Sequence, residues 1–185
     1  QVPADLDVQI KETARFVSRG GEKLLAAIDL FQIKVSGRVC IDCGISTGGF
    51  TDCLLQHGAS LVYGIDVGYG QTAWTLRNNP KVILKERTNL RFLKPIDLYG
   101  EGDPLPDLAV ADMSFISLRL VLPAIKSLLQ KENKESLVLI KPQFEVGKGK
   151  VGKGGVVREK QDHLDVLHSI IDFSIQQGWQ IKGVL

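Results

Sequence analysis

Four ionisable residues stand where short apolar runs stop. Asp42 follows Val39-Cys40-Ile41, Asp66 follows Leu61-Val62-Tyr63-Gly64-Ile65, Asp112 follows Leu108-Ala109-Val110-Ala111, and Lys141 follows Leu137-Val138-Leu139-Ile140. Three carboxylates and an amine so placed can hold a cation, accept hydrogen bonds from hydroxyls and move protons. A lysine directly after an apolar strand is costly to bury unless it is paired. Asp112, ending the strand expected beside it, is the predicted partner. Such a pair can be purely structural. The functional reading is that Asp112 orients Lys141 as a poised amine.

The segment Asp42-Cys43-Gly44-Ile45-Ser46-Thr47-Gly48-Gly49-Phe50 leads from a strand into a helix. Its glycines allow a sharp turn and close backbone approach to a ligand. It is neither the G-x-G-x-x-G of dinucleotide enzymes nor a P-loop, which would end Gly-Lys-Ser/Thr. An acid ends the strand instead, which would repel a pyrophosphate and suits a cationic ligand. The sulfonium and amino groups of S-adenosylmethionine meet that description. Asp66 is placed to accept hydrogen bonds from both ribose hydroxyls of an adenosine. The candidate cofactor contacts are Asp42, Gly44, Ser46, Thr47, Gly48, Gly49, Phe50, Asp66, Val67, Asn89 and Asp112. Asn89 is an adenine-edge candidate, with a turn residue or helix cap as the alternative.

Strands alternating with helices must position these groups. Leu24, Ile28 and Phe31 predict a helix over 21–31. Strands are expected over 39–41, 61–65, 82–84, 108–111 and 137–140, with a sixth starting over 180–185. Further helices are expected over 49–56, over 117–129 with a kink at Pro123, and over 159–177 with Leu164, Leu167, Ile171 and Ile175 on one face. Residues 142–155 read as a loop. The pattern predicts an α/β chain with a doubly wound, mostly parallel sheet, where ligands bind outside the carboxyl ends of the strands.

The chain has 185 residues, 44% hydrophobic and 24% charged, with 23 Lys+Arg against 21 Asp+Glu for a net charge of +2. That excludes a disordered or fibrous chain, and no apolar run reaches the roughly 18–20 residues of a membrane span. The first residues carry no charged-then-apolar pattern, so export is not expected. Cys40, Cys43 and Cys53 read as small core residues in a reducing compartment, with no metal expected. Trp74 and Trp179 read as core or rim packing. Five acids and no base lie between Pro95 and Asp112, whereas six bases face only Glu145 and Glu159 between Lys141 and Lys160. That basic stretch could meet phosphates.

Ser18 to Leu25, Asp42 to Asp52, Gly64 to Trp74, Glu86 to Arg91, Asp112 to Leu118, and Ile140 to Arg158 carry a resemblance. They resemble the TlyA-type branch of FtsJ-like ribose 2′-O-methyltransferases. Asp-Met-Ser-Phe-Ile-Ser-Leu, Lys-Pro-Gln-Phe-Glu and Val-Gly-Lys-Gly-Gly-Val-Val-Arg are the most specific strings. The resemblance implies a Rossmann-like fold and methylation of ribosomal RNA, free or within a ribosomal subunit, by S-adenosylmethionine in the cytoplasm. Lys23, Asp112 and Lys141 match the first three members of the family's Lys-Asp-Lys-Glu tetrad. Lys23 alone would be a solvated helix lysine. The fourth member, an N-terminal S4-type RNA-binding domain and a last, antiparallel strand are expected outside residues 1–185, which form the catalytic domain. Gln1 at the start and Met113 as the only methionine fit such a fragment. Arg19, Lys148, Lys150, Lys153 and Arg158 are the candidate RNA contacts. Relatives named hemolysins keep a membrane-active toxin as an alternative, and a non-catalytic RNA-binding or assembly factor is another.

Overall fold

The strands at 39–43, 61–65 and 108–111 bury residues on both faces, so helices must cover the centre of the sheet on both sides. The computed structural model describes residues 14–147 and 149–185. In chain order the elements are α1 (Gly20–Phe31), β1 (Val39–Cys43), α2 (Gly49–Gln56), β2 (Leu61–Ile65), α3 (Trp74–Arg77), β3 (Val82–Lys85), α4 (Pro95–Leu98), β4 (Leu108–Ala111), α5 (Leu118–Leu128), β5 (Glu135–Val138), α6 (Pro142–Glu145) and α7 (Lys160–Gln176). The five strands form one sheet of order β3-β2-β1-β4-β5, and every pairing is parallel. Cys40, Val62, Leu108 and Val110 face Leu24 and Ile28 of α1 and Cys53 and Leu54 of α2. Ile41, Cys43, Tyr63, Ile65, Ala109 and Ala111 face α5 and α7. The fold is thus the doubly wound, Rossmann-like α/β arrangement.

Register brings the polar residues to one edge. Cys43 sits opposite both Ile65 and Ala111, and Ala111 opposite Val138. Asp66, Asp112 and Lys141 therefore leave the sheet on the side where β1 opens into its glycine-rich turn. The strand order reverses at β1, with β2 on one flank and β4 on the other, which is the crevice position for a ligand.

The three cysteines are free and fully buried. Burial pushes the Cys40 and Cys53 thiols up to about 12, so they pack as small apolar groups.

Several expectations are corrected. β5 lies two residues earlier than the apolar run suggests, because it pairs with β4 from Leu108↔Glu135; only the Leu139 amide continues the ladder, to the Ala111 carbonyl. Within the expected loop 142–155, Pro142 starts the one-turn helix α6, a position where its missing N–H costs nothing. The buried stripe of α7 is Val166, Ile170 and Ser174. Leu164 and Ile175 are exposed, and Leu167 and Ile171 instead line an apolar cleft beside β5. Two apolar stripes share this helix, and only packing decides between them. Residues 180–185 form no strand. Gly183 lies against Phe31 of α1, and the segment lines that same cleft together with β5. Trp74 is not packed; it is 75% exposed. Trp179 does pack against the core.

Candidate functional site

The turn after β1 is shaped by backbone contacts. The Gly44 and Ile45 amides donate to the Ile65 carbonyl at 2.8 and 3.0 Å. Gly44 has φ +86°, and a Cβ there would lie 3.1 Å from the Asp112 carbonyl oxygen. Gly48 has φ +101°, and a Cβ would strike Leu76 at 2.3 Å. At both positions the positive φ would strain any other residue, and the close contact adds to that cost. The turn delivers the Ser46 amide to Asp66 Oδ2, while the Gly68 amide donates to Oδ1, each at 2.7 Å. Asp66 is thereby fixed at the edge of the turn, with lone pairs left over for ligand hydroxyls.

A cleft at the carboxyl ends of β1, β4 and β5 is lined by Ser18, Arg19, Gly20, Lys23, Asp42, Gly44, Ile45, Ser46, Thr47, Gly49, Phe50, Asp112, Ser114 and Lys141. Asp66, Val67, Gly48 and Asn89 lie outside that lining. Asn89 Oδ1 accepts from the Arg91 amide at 3.1 Å, capping the single 3₁₀ turn Leu90–Phe92, which is the turn-residue alternative. Phe50 is 7% exposed and mainly a core residue against α1. Thr47 accepts the Ala73 amide through its carbonyl, while Val67 is 73% exposed beside Asp66.

Asp42 is 1% exposed. The Thr51 hydroxyl donates to its Oδ2 at 2.7 Å; Oδ1 is buried without a partner among the described residues. Burial pushes this carboxyl up to about 7, against the opposing pull of the Thr51 hydrogen bonds. An unpartnered carboxylate oxygen on the cleft wall fits a ligand that brings a cation or a hydrogen-bond donor.

Lys141 Nζ lies 2.6 Å from Asp112 Oδ1 and donates to Ser114 Oγ at 2.8 Å. Lys23 Nζ approaches the other oxygen, Asp112 Oδ2, at 3.8 Å. α1 delivers Lys23 because its first turn packs on the start of α2, where Gly21 and Gly49 allow backbone-close contact. Two amines thus flank one carboxylate at the cleft. The Lys141 side chain is 19% exposed and that of Lys23 54%.

Sequence reasoning missed three residues here. Ser114 accepts the hydrogen bond of Lys141 beside its ion pair with Asp112. Phe115 is 91% exposed, in a left-handed backbone with φ +63°, and its ring meets Phe144 at 5.2 Å. Glu145 accepts from Ser117 Oγ at 2.6 Å and from the Leu118 amide at 2.8 Å. All three lie in strings singled out by resemblance, but no spacing rule joins residues 27 or more positions apart.

Among the RNA candidates, Arg19 is exposed on the cleft wall, and Lys153 and Arg158 are exposed. Lys150 Nζ is held by Asp162 Oδ1 at 2.5 Å. Lys148 lies outside the described residues. Among those described, no group of three His, Cys, Asp or Glu could hold a metal ion.

Residues 16–185 match the FtsJ-like methyltransferase family. The chain belongs to that family. It is 48% identical over 169 residues to the 16S/23S rRNA (cytidine-2′-O)-methyltransferase TlyA of Mycobacterium tuberculosis, covering 91% of this chain and 61% of that protein. The solved structure of a hemolysin-named protein from Streptococcus thermophilus superposes with a TM-score of 0.86 at 44% identity, over 93% of this chain and 61% of that one. Aeropyrum pernix fibrillarin, solved with bound S-adenosyl-L-methionine, shares the fold: TM-score 0.60 at 18% identity, over 88% of this chain and 67% of that one. The chain spans about three fifths of the length of the curated relatives it matches.

Proposed function

We propose that this FtsJ-like methyltransferase chain is the catalytic domain, residues 1–185, of an enzyme that methylates a ribose 2′-hydroxyl of ribosomal RNA with S-adenosylmethionine. The observation that carries the reading is the meeting of Lys23, Asp112 and Lys141 beside the glycine turn. When bound, S-adenosylmethionine supplies an electrophilic methyl group on a cationic sulfur. Asp42, Gly44, Ser46–Phe50, Asp66 and Val67 would hold it: the glycines by close backbone approach, Asp66 through hydroxyls, Asp42 through positive charge.

A ribose hydroxyl is a poor nucleophile at neutral pH. In this reading Lys141, oriented by Asp112 and Ser114, takes or steers its proton, and Lys23 positions the acceptor oxygen. A well-placed base of this kind contributes ~10²–10⁴ in rate. We place the fourth acid and a further RNA-binding domain in the rest of the protein.

An RNA substrate is supported by the surface. Besides Arg19, Lys153 and Arg158, the exposed bases Lys85, Arg87, Arg91 and Lys94 follow one another at the carboxyl end of β3. The one acid among them, Glu86, is already held by Arg77. Arg87 stacks 4.2 Å from the Tyr69 ring centroid, and Phe92 is 65% exposed. Cations interleaved with exposed aromatics suit single-stranded nucleic acid. Ribosomal RNA places the reaction in the cytoplasm. No helix among the described residues is long and apolar enough to cross a membrane.

Labelled methyl transfer to ribosomal subunits by the full-length protein tests the proposal. Lys141→Ala should lower the rate ~10²–10⁴-fold while calorimetry shows unchanged S-adenosylmethionine binding. Undiminished transfer by that variant would remove Lys141 from its role. Absence of any methyl product with either subunit would remove the reading.

A further inference from the structure

Lys141 and Glu145 stand at the two ends of a single helical turn. Lys141 is the residue before α6, Pro142 opens it and Glu145 closes it. The Glu145 carboxylate crosses to another element, where Oε2 accepts from the Ser117 hydroxyl and Oε1 from the Leu118 amide. Leu118 is the first residue of the 11-residue helix α5. Its amide has no partner inside the helix, and an anion at that end is favoured by the helix dipole.

The connection matters because of what lies between. The segment 112–117 carries both partners of the Lys141 amine, Asp112 through the ion pair and Ser114 through the hydrogen bond. At one end the Asp112 amide donates to the Cys43 carbonyl at 3.2 Å. At the other end stands Glu145. In the middle, Phe115 holds a left-handed backbone that non-glycine residues adopt only when their surroundings enforce it. Its ring is 91% exposed, so burial does not enforce it. The segment is held at both ends, and the Phe115 ring meets Phe144 of α6.

We propose that Glu145 is a positioning residue: it latches the 112–117 segment to α6, so that Asp112 and Ser114 both meet the Lys141 amine. The chain of contacts closes a ring from β4 through Asp112, Ser117, Glu145 and Lys141 to β5. Without the latch, the segment can leave Lys141 while the sheet and the glycine turn remain intact. The inference rests on the methyltransferase reading for its kinetic consequence, and on the two hydrogen bonds alone for its structural one.

The experiment uses the full-length protein with Glu145→Ala, Glu145→Gln and Ser117→Ala. Methyl transfer to ribosomal subunits is followed across pH, S-adenosylmethionine binding by calorimetry, and amide hydrogen exchange over residues 112–118. Glu145→Ala should lower kcat on the order of 10²-fold, the scale of a misplaced catalytic group. Its KM and cofactor affinity should stay near wild type, and the pH profile of kcat should move. Exchange over 112–118 should quicken with β1 unchanged. Glu145→Gln should recover most of the rate, because its amide oxygen still accepts from Leu118 and its amide nitrogen can donate to Ser117. Ser117→Ala, which removes one of the two bonds, should fall between and covers the case of an unfolded Glu145→Ala. Unaltered kcat and pH profile in folded variants would overturn the proposal, as would a loss of rate with exchange over 112–118 unchanged. A wild-type protein without methyl product would overturn the methyltransferase reading instead, and the exchange data would still decide the latch.

Discussion

Asp42 shows how one buried carboxyl couples the fold to its ligand. Its pKa rises from 3.8 to about 7 because burial penalises the charge. The native state therefore holds this proton more tightly than the unfolded chain, and stability falls as pH rises through that window. Asp42→Asn removes the dependence. Its thermal midpoint should exceed that of wild type by more at about pH 8 than at about pH 5, read by calorimetry without ligand. An equal difference at both pH values would show that Asp42 does not titrate there. That Asp66, Asp112 and Lys141 follow strands is legible in the sequence; Asp42 is expected there too, but β1 runs through it to Cys43 and keeps it within the strand's carboxyl end. The unpartnered Oδ1 and the Thr51 hydrogen bond are not legible there, because they depend on how α2 packs over β1.

At the scale of elements, the first turns of α1 and α2 meet more closely than side chains would allow. A Cβ on Gly49 would lie 2.2 Å from Ser18 Oγ and 2.9 Å from the Gly21 amide nitrogen. Gly49→Ala should therefore cost about 1–3 kcal/mol, as overpacking of a dense site does, seen as a lower urea midpoint. A midpoint equal to wild type would mean that α1 can move aside. The same packing brings Lys23 to Asp112. Periodicity correctly predicts α1, yet leaves Lys23 as a surface lysine, since a helical period says nothing about which neighbour the helix meets. In α7 the period permits two stripes; the sheet selects Val166 and Ile170 and leaves Leu167 and Ile171 to the cleft beside β5. β5 shifts for a related reason: its bounds follow its pairing with β4 rather than its own hydropathy.

At the scale of the whole molecule, one set of exposed cations gathers where β3 ends. The sequence draws attention to 141–160, but Lys150 turns to Asp162, while Lys85, Arg87, Arg91 and Lys94 make no ion pair among the described residues. If this surface meets RNA phosphates, replacing Lys85, Arg91 and Lys94 by glutamine should weaken RNA binding. It should also flatten the dependence of log affinity on log salt by about 0.7–0.9 for each lost contact, with S-adenosylmethionine binding unaltered. An unchanged salt slope would place the RNA elsewhere. The net charge of +2 conceals this surface, because it sums acids and bases over the whole chain.

The sequence by itself determined the alternation of strands and helices, the parallel sheet, the carboxyl-end positions of Asp42, Asp66, Asp112 and Lys141, and, through its motifs, the family. These are local: they depend on period, on turn residues and on short strings. Tertiary structure alone decided that the Lys23 and Lys141 amines approach opposite oxygens of the Asp112 carboxylate, that Ser114 accepts from Lys141 and Glu145 from Ser117 and Leu118, and that residues 180–185 pair with no strand. Each of these is a contact between groups distant along the chain, and such contacts are set by packing and register rather than by residue type.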